Sequence, residues 1–347
     1  MKQEIKLSKE QQEIIDSNKD TIVVSNPGTG KTTTLSLKVI KLLEDKINPE
    51  DILCITFTEK AKKEMFDAIY DYGKGKFSDA DIMKINIHTF HSFAYNYLLD
   101  AGIISGDIVG NNLMRFSILN SFEQNQALNY GKDYIISTIV PKTENSIRYI
   151  KSFGITPDKI DLNKATTILE KIFDEKSSSY TIDEMKSFLK YFIEAYKEYE
   201  KSKLQAVDYS DMLLMFKEKF RGNKFQHVLV DEMQDMNEIE AEIATMVAEN
   251  LFLVGDAKQA IFGFQGGSVK NFQKFMKTCE KKMLSTNRRS SQQILDYSKE
   301  YFLNGTSYKE MFQKELSVFK SLGTGEIPKI VSTSAHLSKV LEIIEEN

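Results

Sequence analysis

The chain has no tryptophan, only two cysteines and five prolines in 347 residues. No apolar run in it approaches the ~20 residues needed to cross a bilayer. That last absence excludes a transmembrane helix, and no membrane partner is expected. The start, Met1-Lys-Gln-Glu-Ile-Lys6, has no apolar stretch behind its charges and does not read as a secretory signal. Cys54 and Cys279, both in apolar sequence, are too few for a disulfide framework or a zinc site. They read as small buried hydrophobes in a reducing cytosol, so the expected location is cytoplasmic. With no tryptophan, any stacking on nucleobases falls to the 22 Phe and 15 Tyr. Charge of one sign is also scarce. The 46 Lys and Arg against 50 Asp and Glu leave −4, which argues neither for nor against a polyanion, since a local basic groove is enough.

What is present reads as a globular α/β chain of two or three domains. Hydrophobic residues make up 41% and charged residues 28%, so neither a disordered nor a fibrous protein is expected. Thr21–Ser25 is a short β-branched run entering a Gly-containing turn, and helical periodicity follows from Lys31 to about Leu43. Asp51–Phe57 reads as a second buried strand, followed by an amphipathic helix ending near Gly73, and Ile85–Phe90 as a third strand. Strands separated by such helices imply right-handed βαβ units and a parallel sheet. From about residue 92 to 205 the pattern is helical throughout, an insertion. Alternation returns at His227–Asp231 and Leu251–Asp256; a further unit begins at Lys282–Ser285 with a helix from Ser290. Pro328–Ser332 and a helix from Ala335 complete the series. No internal repeat is visible.

Two segments carry chemistry. Ser25-Asn26-Pro27-Gly28-Thr29-Gly30-Lys31-Thr32 lies between a strand and a helix, the context of a phosphate-binding P-loop. The pattern G-x-x-x-x-G-K-[ST] wants glycine where Ser25 stands. Gly28 and Gly30 allow the backbone to wrap phosphates, whose charge the helix N-terminus favours. Lys31 is expected to reach the β and γ oxygens, and the Thr32 hydroxyl to ligate Mg²⁺. Val228–Glu232 is an apolar strand ending in two carboxylates. Asp231 suits a water-mediated Mg²⁺ contact, and Glu232 the base that activates the attacking water. A single acidic pair at a strand end is common; joined to a P-loop in one sheet it implies hydrolysis of a nucleotide.

These segments and others along residues 7 to 291 resemble the UvrD/Rep/PcrA group of superfamily 1 DNA helicases. Leu7–Ile14 resembles the group's Q motif, which makes Gln11, rather than Gln12, the adenine reader. Ile55–Met65 resembles motif Ia, implying DNA contacts from Phe57, Thr58 and Lys60. Ile87–Phe93 resembles the next DNA-contact motif and implies Thr89 and His91. Val207–Leu214 is similar to the segment preceding motif II, and Asp208 and Asp211 read equally well as a helix cap. Asp231-Glu-Met-Gln234-Asp235 fits motif II, and Val254–Gly267 resembles motif III. By that match Gln259 senses the γ-phosphate while Phe262 and Phe264 meet the bases. Phe262 reads equally well as core; Phe264, between Gly and Gln, is the better stacker. The Arg that follows the aromatic in that motif is here Gln265.

Leu284–Ser290 resembles motif IV, so Arg289 matches the arginine that reaches the γ-phosphate. The tyrosine before it is replaced by Arg288, and the arginine that often follows Gly-Lys-Thr is Thr33. Arg288 is therefore expected to cover one face of adenine. The implied fold is a P-loop NTPase of the RecA-like class, its parallel sheet formed from residues 1–91 and 206–280. A helical subdomain, 92–205, is inserted, and 281–347 begins a second motor domain. The implied activity is ATP- and Mg²⁺-dependent 3′-to-5′ translocation on single-stranded DNA and unwinding of duplex DNA. The group's later motifs are missing. The expectation is a fragment or half-motor, completed by a second protein subunit and weakly active alone, since a lost transition-state arginine costs on the order of 10³-fold. Two rivals stand beside it: an ATP- and DNA-sensing regulatory subunit of a nuclease or phage-defence complex, and a P-loop ATPase acting on protein or small molecules.

Overall fold

The computed structural model describes residues 7–124, 131–172, 181–204, 206–259, 269–306 and 309–328. These form two compact units, the larger within Met1–Val24 and Lys31–Met283, the smaller within Ser25–Gly30 and Leu284–Asn347.

The larger unit is built on a six-stranded sheet. Its strands are β1 (Thr21–Ser25), β2 (Ile52–Thr56), β3 (Asn86–Thr89), β4 (Phe225–Val230), β5 (Ala248–Gly255) and β6 (Glu280–Leu284), in the order β3-β2-β4-β5-β1-β6. β1 to β5 pair in parallel, with Cys54 level with Ile87 and Leu229, and Val23 level with Val254. Every residue of β1 and β2 is buried, as expected for strands covered on both faces. The helices that cover them are α1 (Lys9–Ile15), α2 (Lys31–Glu44), α3 (Glu59–Gly73) and the short α4 (Asp79–Met83). Buried Lys38 of α2 donates to the Ile15 carbonyl at 2.8 Å, capping the C-terminal end of α1.

Between β3 and β4 the chain is helical. It runs through α5 (Phe90–Asp100), α6 (Asn111–Gln124), α7 (Lys132–Tyr134), a π-helical turn at Ile135–Ile139, and α8 (Val140–Lys151). There follow α9 (Leu162–Ile172), α10 (Ile182–Ser202) and α11 (Tyr209–Lys219). These helices have a core of their own, centred on Ile118, Phe122, Ile147, Phe192 and Tyr196, where α10 packs on α6. Tyr196 is fully buried, and its hydroxyl donates to the Ile155 carbonyl at 2.9 Å, so its polar end is satisfied. The sheet resumes with β4, α12 (Glu238–Val247), β5 and α13 (Val269–Thr278).

Three details depart from the sequence reading. Phe90 ends no strand; Thr89 caps α5 through a capping box with Ser92, and Phe90 opens the helix. The strand after α13 starts no new sheet: Glu280 donates its N–H to the Asp20 carbonyl at 2.7 Å, and β6 lies beside β1, whose outer edge would otherwise be unpaired. Cys54 is fully buried as expected, but Cys279 is only half-buried, because it follows α13 at the sheet's edge.

In the smaller unit, β7 (Thr286–Asn287) and β8 (Lys320–Ser321) pair in parallel, joined by α14 (Gln292–Gly305) and α15 (Lys309–Leu316). The strand expected to continue past Pro328 and the helix from Ala335 lie outside the described residues. No helix among the described residues is long and apolar enough to cross a membrane.

Candidate active site and nucleic-acid interface

Lys31 is the first residue of α2, and Glu232 stands just beyond β4. The backbone N–H of Asp231 still donates to the Ile55 carbonyl at 3.0 Å, so the ladder to β2 runs to the end of the strand. Glu232 then adopts φ 49°, ψ 44°, a left-handed conformation uncommon for a residue with a side chain. That turn directs its carboxylate to Lys31, with Nζ 2.6 Å from Oε2. The lysine side chain is only 11% exposed, while the glutamate, at 39%, stays open to solvent.

Buried Gln234 also holds this carboxylate. Its Nε2 donates to Glu232 Oε2 at 3.0 Å, and its Oε1 accepts from the backbone N–H of Asp256 at 2.9 Å. Gly255 makes room for it: a Cβ there would lie 2.6 Å from Gln234 Oε1 and 2.6 Å from Met233 Cγ. Asp256 in turn accepts from Gln259 Nε2 at 2.8 Å and pairs with Lys258 at 2.6 Å. One unbroken set of contacts thus leads from Glu232 through Gln234 and Asp256 to Gln259. The sequence points to the two ends, Glu232 and Gln259, and not to the two middle residues. Gln234 lay in view within motif II, but a lone glutamine carries no signal for where its amide reaches.

The acids here are uncomfortable as charges. Burial, and then the Glu232 carboxylate, push Asp231 up to about 6. The same two causes push Asp235 up to about 6; burial, opposed by the N–H that Asn237 donates and aided by the Asp235 charge, carries Glu240 to about 7. Asp235 Oδ1 is also buried, with no hydrogen-bond partner among the described residues. A buried carboxylate that the Glu232 N–H and the Lys31 charge only partly compensate suits a hard divalent cation, and the Thr32 hydroxyl, exposed in the first turn of α2, is an oxygen donor of the kind Mg²⁺ takes. The residues present fit the expected ion.

In the smaller unit the loop Ser25–Gly30 is fastened by Asn287. Its Nδ2 donates to the Pro27 carbonyl at 2.6 Å, while its Oδ1 accepts from the N–H groups of Arg289 and Ser290 at 2.8 and 2.7 Å. Arg288 N–H adds a bond to the Gly28 carbonyl at 2.8 Å. Gly28 has φ +78°, and a Cβ on it would lie 2.7 Å from Cβ of Arg289. Glycine is needed here for backbone conformation and for this close approach. Ser25, Asn26 and Thr29 are buried, and Asn26 Oδ1 has no hydrogen-bond partner among the described residues. Gly30 has φ +87°. Thr33 is half-buried, and Arg288 and Arg289 are exposed.

Gln11 is buried, and both ends of its amide have protein partners. Oε1 accepts from Ser8 N–H at 3.1 Å in a capping box, and Nε2 donates to Thr34 Oγ1 at 3.3 Å. Its first visible role is to seat α1 on α2.

Of the residues expected to meet DNA, Phe57, Thr58, Thr89 and His91 line one groove of about 1040 Å³ in the larger unit. Thr58 and Thr89 are the N-caps of α3 and α5. The Phe57 ring stands edge-on to Phe90 at 5.9 Å, and His91 edge-on to Tyr209 at 5.5 Å. Burial lowers the His91 pKa, with Asp208 acting against it, which favours the neutral imidazole. Lys60 does not line the groove; it is exposed on α3, 3.8 Å from Glu64. Phe262 and Phe264 lie outside the described residues.

Asp208 does cap α11, in a capping box with Asp211. Both acids also take part in a buried network that the sequence did not announce. Lys151, 3% exposed, lies 2.6 Å from each of them and 2.8 Å from Glu200, and Lys203 lies 2.5 Å from Asp211. Burial opposes the Lys151 ammonium, but Asp208, Asp211 and Glu200 outweigh it and hold its pKa above normal. Burial likewise opposes the Asp208 carboxylate, yet Lys151 and Lys203 bring it down to about 2. The three acids converge closely enough for a metal, and the two ammonium groups neutralise them instead.

Residues 7–280 match the family model described as the UvrD/REP helicase N-terminal domain. A probable DNA helicase II homolog of Mycoplasma pneumoniae is 32% identical over 276 residues, covering 75% of this chain and 36% of that protein. A second such homolog, from Mycoplasma capricolum, is 27% identical over 353 aligned positions, 96% of this chain and 46% of its own length. An ATP-dependent DNA helicase PcrA of Leuconostoc citreum is 28% identical over 299 residues, 79% of this chain and 36% of that protein. The chain spans less than half the length of these relatives.

Proposed function

The chain belongs to the UvrD/REP helicase N-terminal domain family, and on that footing we propose that it binds and hydrolyses ATP to drive 3′-to-5′ movement along single-stranded DNA. The observation that carries this reading is the 2.6 Å pairing of Lys31 with Glu232, a P-loop cation against a strand-end carboxylate. When triphosphate arrives, Lys31 exchanges Glu232 for the β and γ oxygens, leaving the carboxylate free to take a proton from water. Glu232 is aimed by Gln234, so the base is held while water attacks the γ-phosphorus and the bond to the β-phosphate oxygen breaks. Arg289 neutralises charge on the transferring group, and Arg288 covers one face of adenine while Gln11 reads its edge. Ser25 to Gly30 supply the cradle, with Thr33 beside it. Thr32 and Asp231 would hold Mg²⁺, which would supply charge neutralisation to the transferring phosphate.

Gln259 senses the γ-phosphate, and the contacts from Glu232 through Gln234 and Asp256 give it a route by which loss of that phosphate changes the segment that follows. Phe57, Thr58, Lys60, Thr89 and His91, together with Phe262 and Phe264, grip the strand. Unwinding of duplex requires the further motor parts carried by a longer chain or a second protein subunit. The scarcity of cysteine supports a cytoplasmic location.

The test is ATP turnover with and without single-stranded DNA, for the parent and for Glu232→Gln. DNA-stimulated turnover that disappears in the variant is expected. Turnover indifferent to DNA sinks the translocase reading, and turnover undiminished in Glu232→Gln sinks the assigned base.

A further inference from the structure

We propose that the outer edge of β3, with α3 beside it, is a docking site for an extended, acidic segment of a partner protein, which adds to the sheet as a further strand. β3 is the last strand of its sheet and pairs with β2 on one side only. Among the described residues, no backbone bond from Asn86, Ile87 or His88 leads anywhere but into the sheet. A strand paired on one side leaves alternate N–H and C=O groups turned outward, a template for another chain. The Asn86 amide is committed elsewhere, donating to the Glu50 carbonyl at 2.8 Å.

The surroundings specify the chemistry of the occupant. A groove of about 460 Å³ is lined by Lys62, Lys63 and Phe66 of α3, by Met83 and Lys84, and by β3 as far as His88. Its lining holds three ammonium groups and one carboxylate, that of Glu59. Lys62 lies 3.7 Å from Glu59 and Lys84 3.6 Å from Glu50, exposed pairs weak enough for an incoming carboxylate to displace. Burial and then the Lys62 charge lower the His88 pKa, with Glu59 opposing them, the mark of a locally positive field. His88 Nδ1 is buried with no hydrogen-bond partner among the described residues, a polar atom still to be satisfied. Apolar contact comes from Met83, 66% exposed, and from Phe66, whose ring stacks on Tyr70 at 6.2 Å. A flexible thioether beside a held ring accommodates side chains of several shapes. Lysines along an edge discourage chance pairing, so the residues that guard this one also select a segment bearing Asp or Glu.

The open stretch closes at both ends, which limits the length of segment it takes. Thr89 N–H is taken by Ser92 Oγ at 2.9 Å, and Ile85 N–H by the Ile82 carbonyl at 3.3 Å. At ~3.3 Å per residue, the run from Met83 to His88 matches an added strand of about four to six residues. Main-chain bonds to the edge supply affinity, and every second side chain of the segment is read by the α3 side of the groove.

The experiment uses the 347-residue chain and a fluorescein-labelled peptide of about eight residues that alternates Glu with Val, read by anisotropy beside a version with Lys in place of Glu. The acidic peptide should bind and the basic one should not. Lys62→Glu, Lys63→Glu and Lys84→Glu combined should weaken binding about tenfold or more, with the melting temperature close to the parent's because all three side chains lie at the surface. N-methylation of alternate amides along one edge of the peptide should abolish binding, and along the other edge leave it unchanged, as an added strand requires. Equal effects from both methylation patterns overturn strand addition. Failure of the acidic peptide to bind, or equal binding of the basic one, overturns the docking site. If the charge reversals weaken binding of a labelled oligo-dT instead, the lysines serve a phosphate backbone and the proposal falls. It falls equally if the parent self-associates and the same reversals return it to a monomer, since the edge then belongs to a second copy.

Discussion

Lys31 and Glu232, 201 residues apart in sequence, meet at 2.6 Å, and Gln234 donates to the same glutamate oxygen at 3.0 Å. The proposed base therefore has a cation to release and an amide to keep. Replacing Glu232 by Gln keeps the shape and removes the proton acceptor. The expected outcome is a fall in kcat on the order of 10²- to 10⁴-fold with little change in ATP affinity. Single-turnover hydrolysis alongside nucleotide binding by fluorescence separates the two. Loss of binding equal to the loss of rate would instead give Glu232 a purely structural part.

Gly255 is where this arrangement is most easily broken. An alanine Cβ would sit 2.6 Å from Gln234 Oε1 and 3.1 Å from the Met233 backbone nitrogen, so something must shift. Gly255→Ala is expected to lower stability by about 1–3 kcal/mol. It should also cut turnover by up to about 10²-fold through displacement of the base. Thermal melting and steady-state hydrolysis, measured together, check both.

The acids give a pH signature in the nucleotide-free protein. Asp231 and Asp235 are raised to about 6 and Glu240 to about 7, all above their unfolded values near ~4. The folded state thus holds protons more tightly, and the stability this contributes is full below about pH 4 and lost as pH rises through 6 and 7. Urea midpoints should fall between pH 5 and 8. In Asp231→Asn that fall should be smaller, by on the order of 2 kcal/mol. An unchanged slope in the variant would refute the burial of an ionised Asp231.

Asn287 tests how the phosphate loop is held. Asn287→Ala removes the bond to Pro27 and leaves the N–H groups of Arg289 and Ser290 without their acceptor. A loss of about 1–3 kcal/mol is expected, with weaker ATP binding because the loop is less ordered. Isothermal titration with a non-hydrolysable ATP analogue measures the second effect, and denaturant melts the first.

Gln11 and Arg288 separate base reading from packing. Gln11→Ala breaks contacts to Ser8 and Thr34, so some stability is lost whatever its ligand role. If it also reads adenine, the ratio of ATP to GTP affinity should drop toward one. Arg288→Ala should weaken both nucleotides alike, because a guanidinium stacks on either base. An unchanged ATP affinity in Arg288→Ala would remove that residue from the site.

The alternation of strand and helix, the Gly-containing loop before Lys31, and the two acids ending β4 were all legible from the sequence by itself. Each is a local signal: hydrophobic periodicity, turn chemistry and strand-end polarity act within a few residues. The caps at Thr58, Thr89 and Asp208 belong to the same class, since a cap is satisfied three residues away. Only the tertiary structure decided that Gln234 bridges Glu232 and Asp256, that Asn287 fastens Pro27, and that Lys151 draws Asp208 and Asp211 together. The same holds for β6, which joined the first sheet because β1 presented an open edge. In each of these, a polar group is buried by elements distant in the chain and must take whichever partner their packing brings within hydrogen-bond reach. That partner is set by how the elements cross, and neither residue's own neighbourhood in the sequence records it.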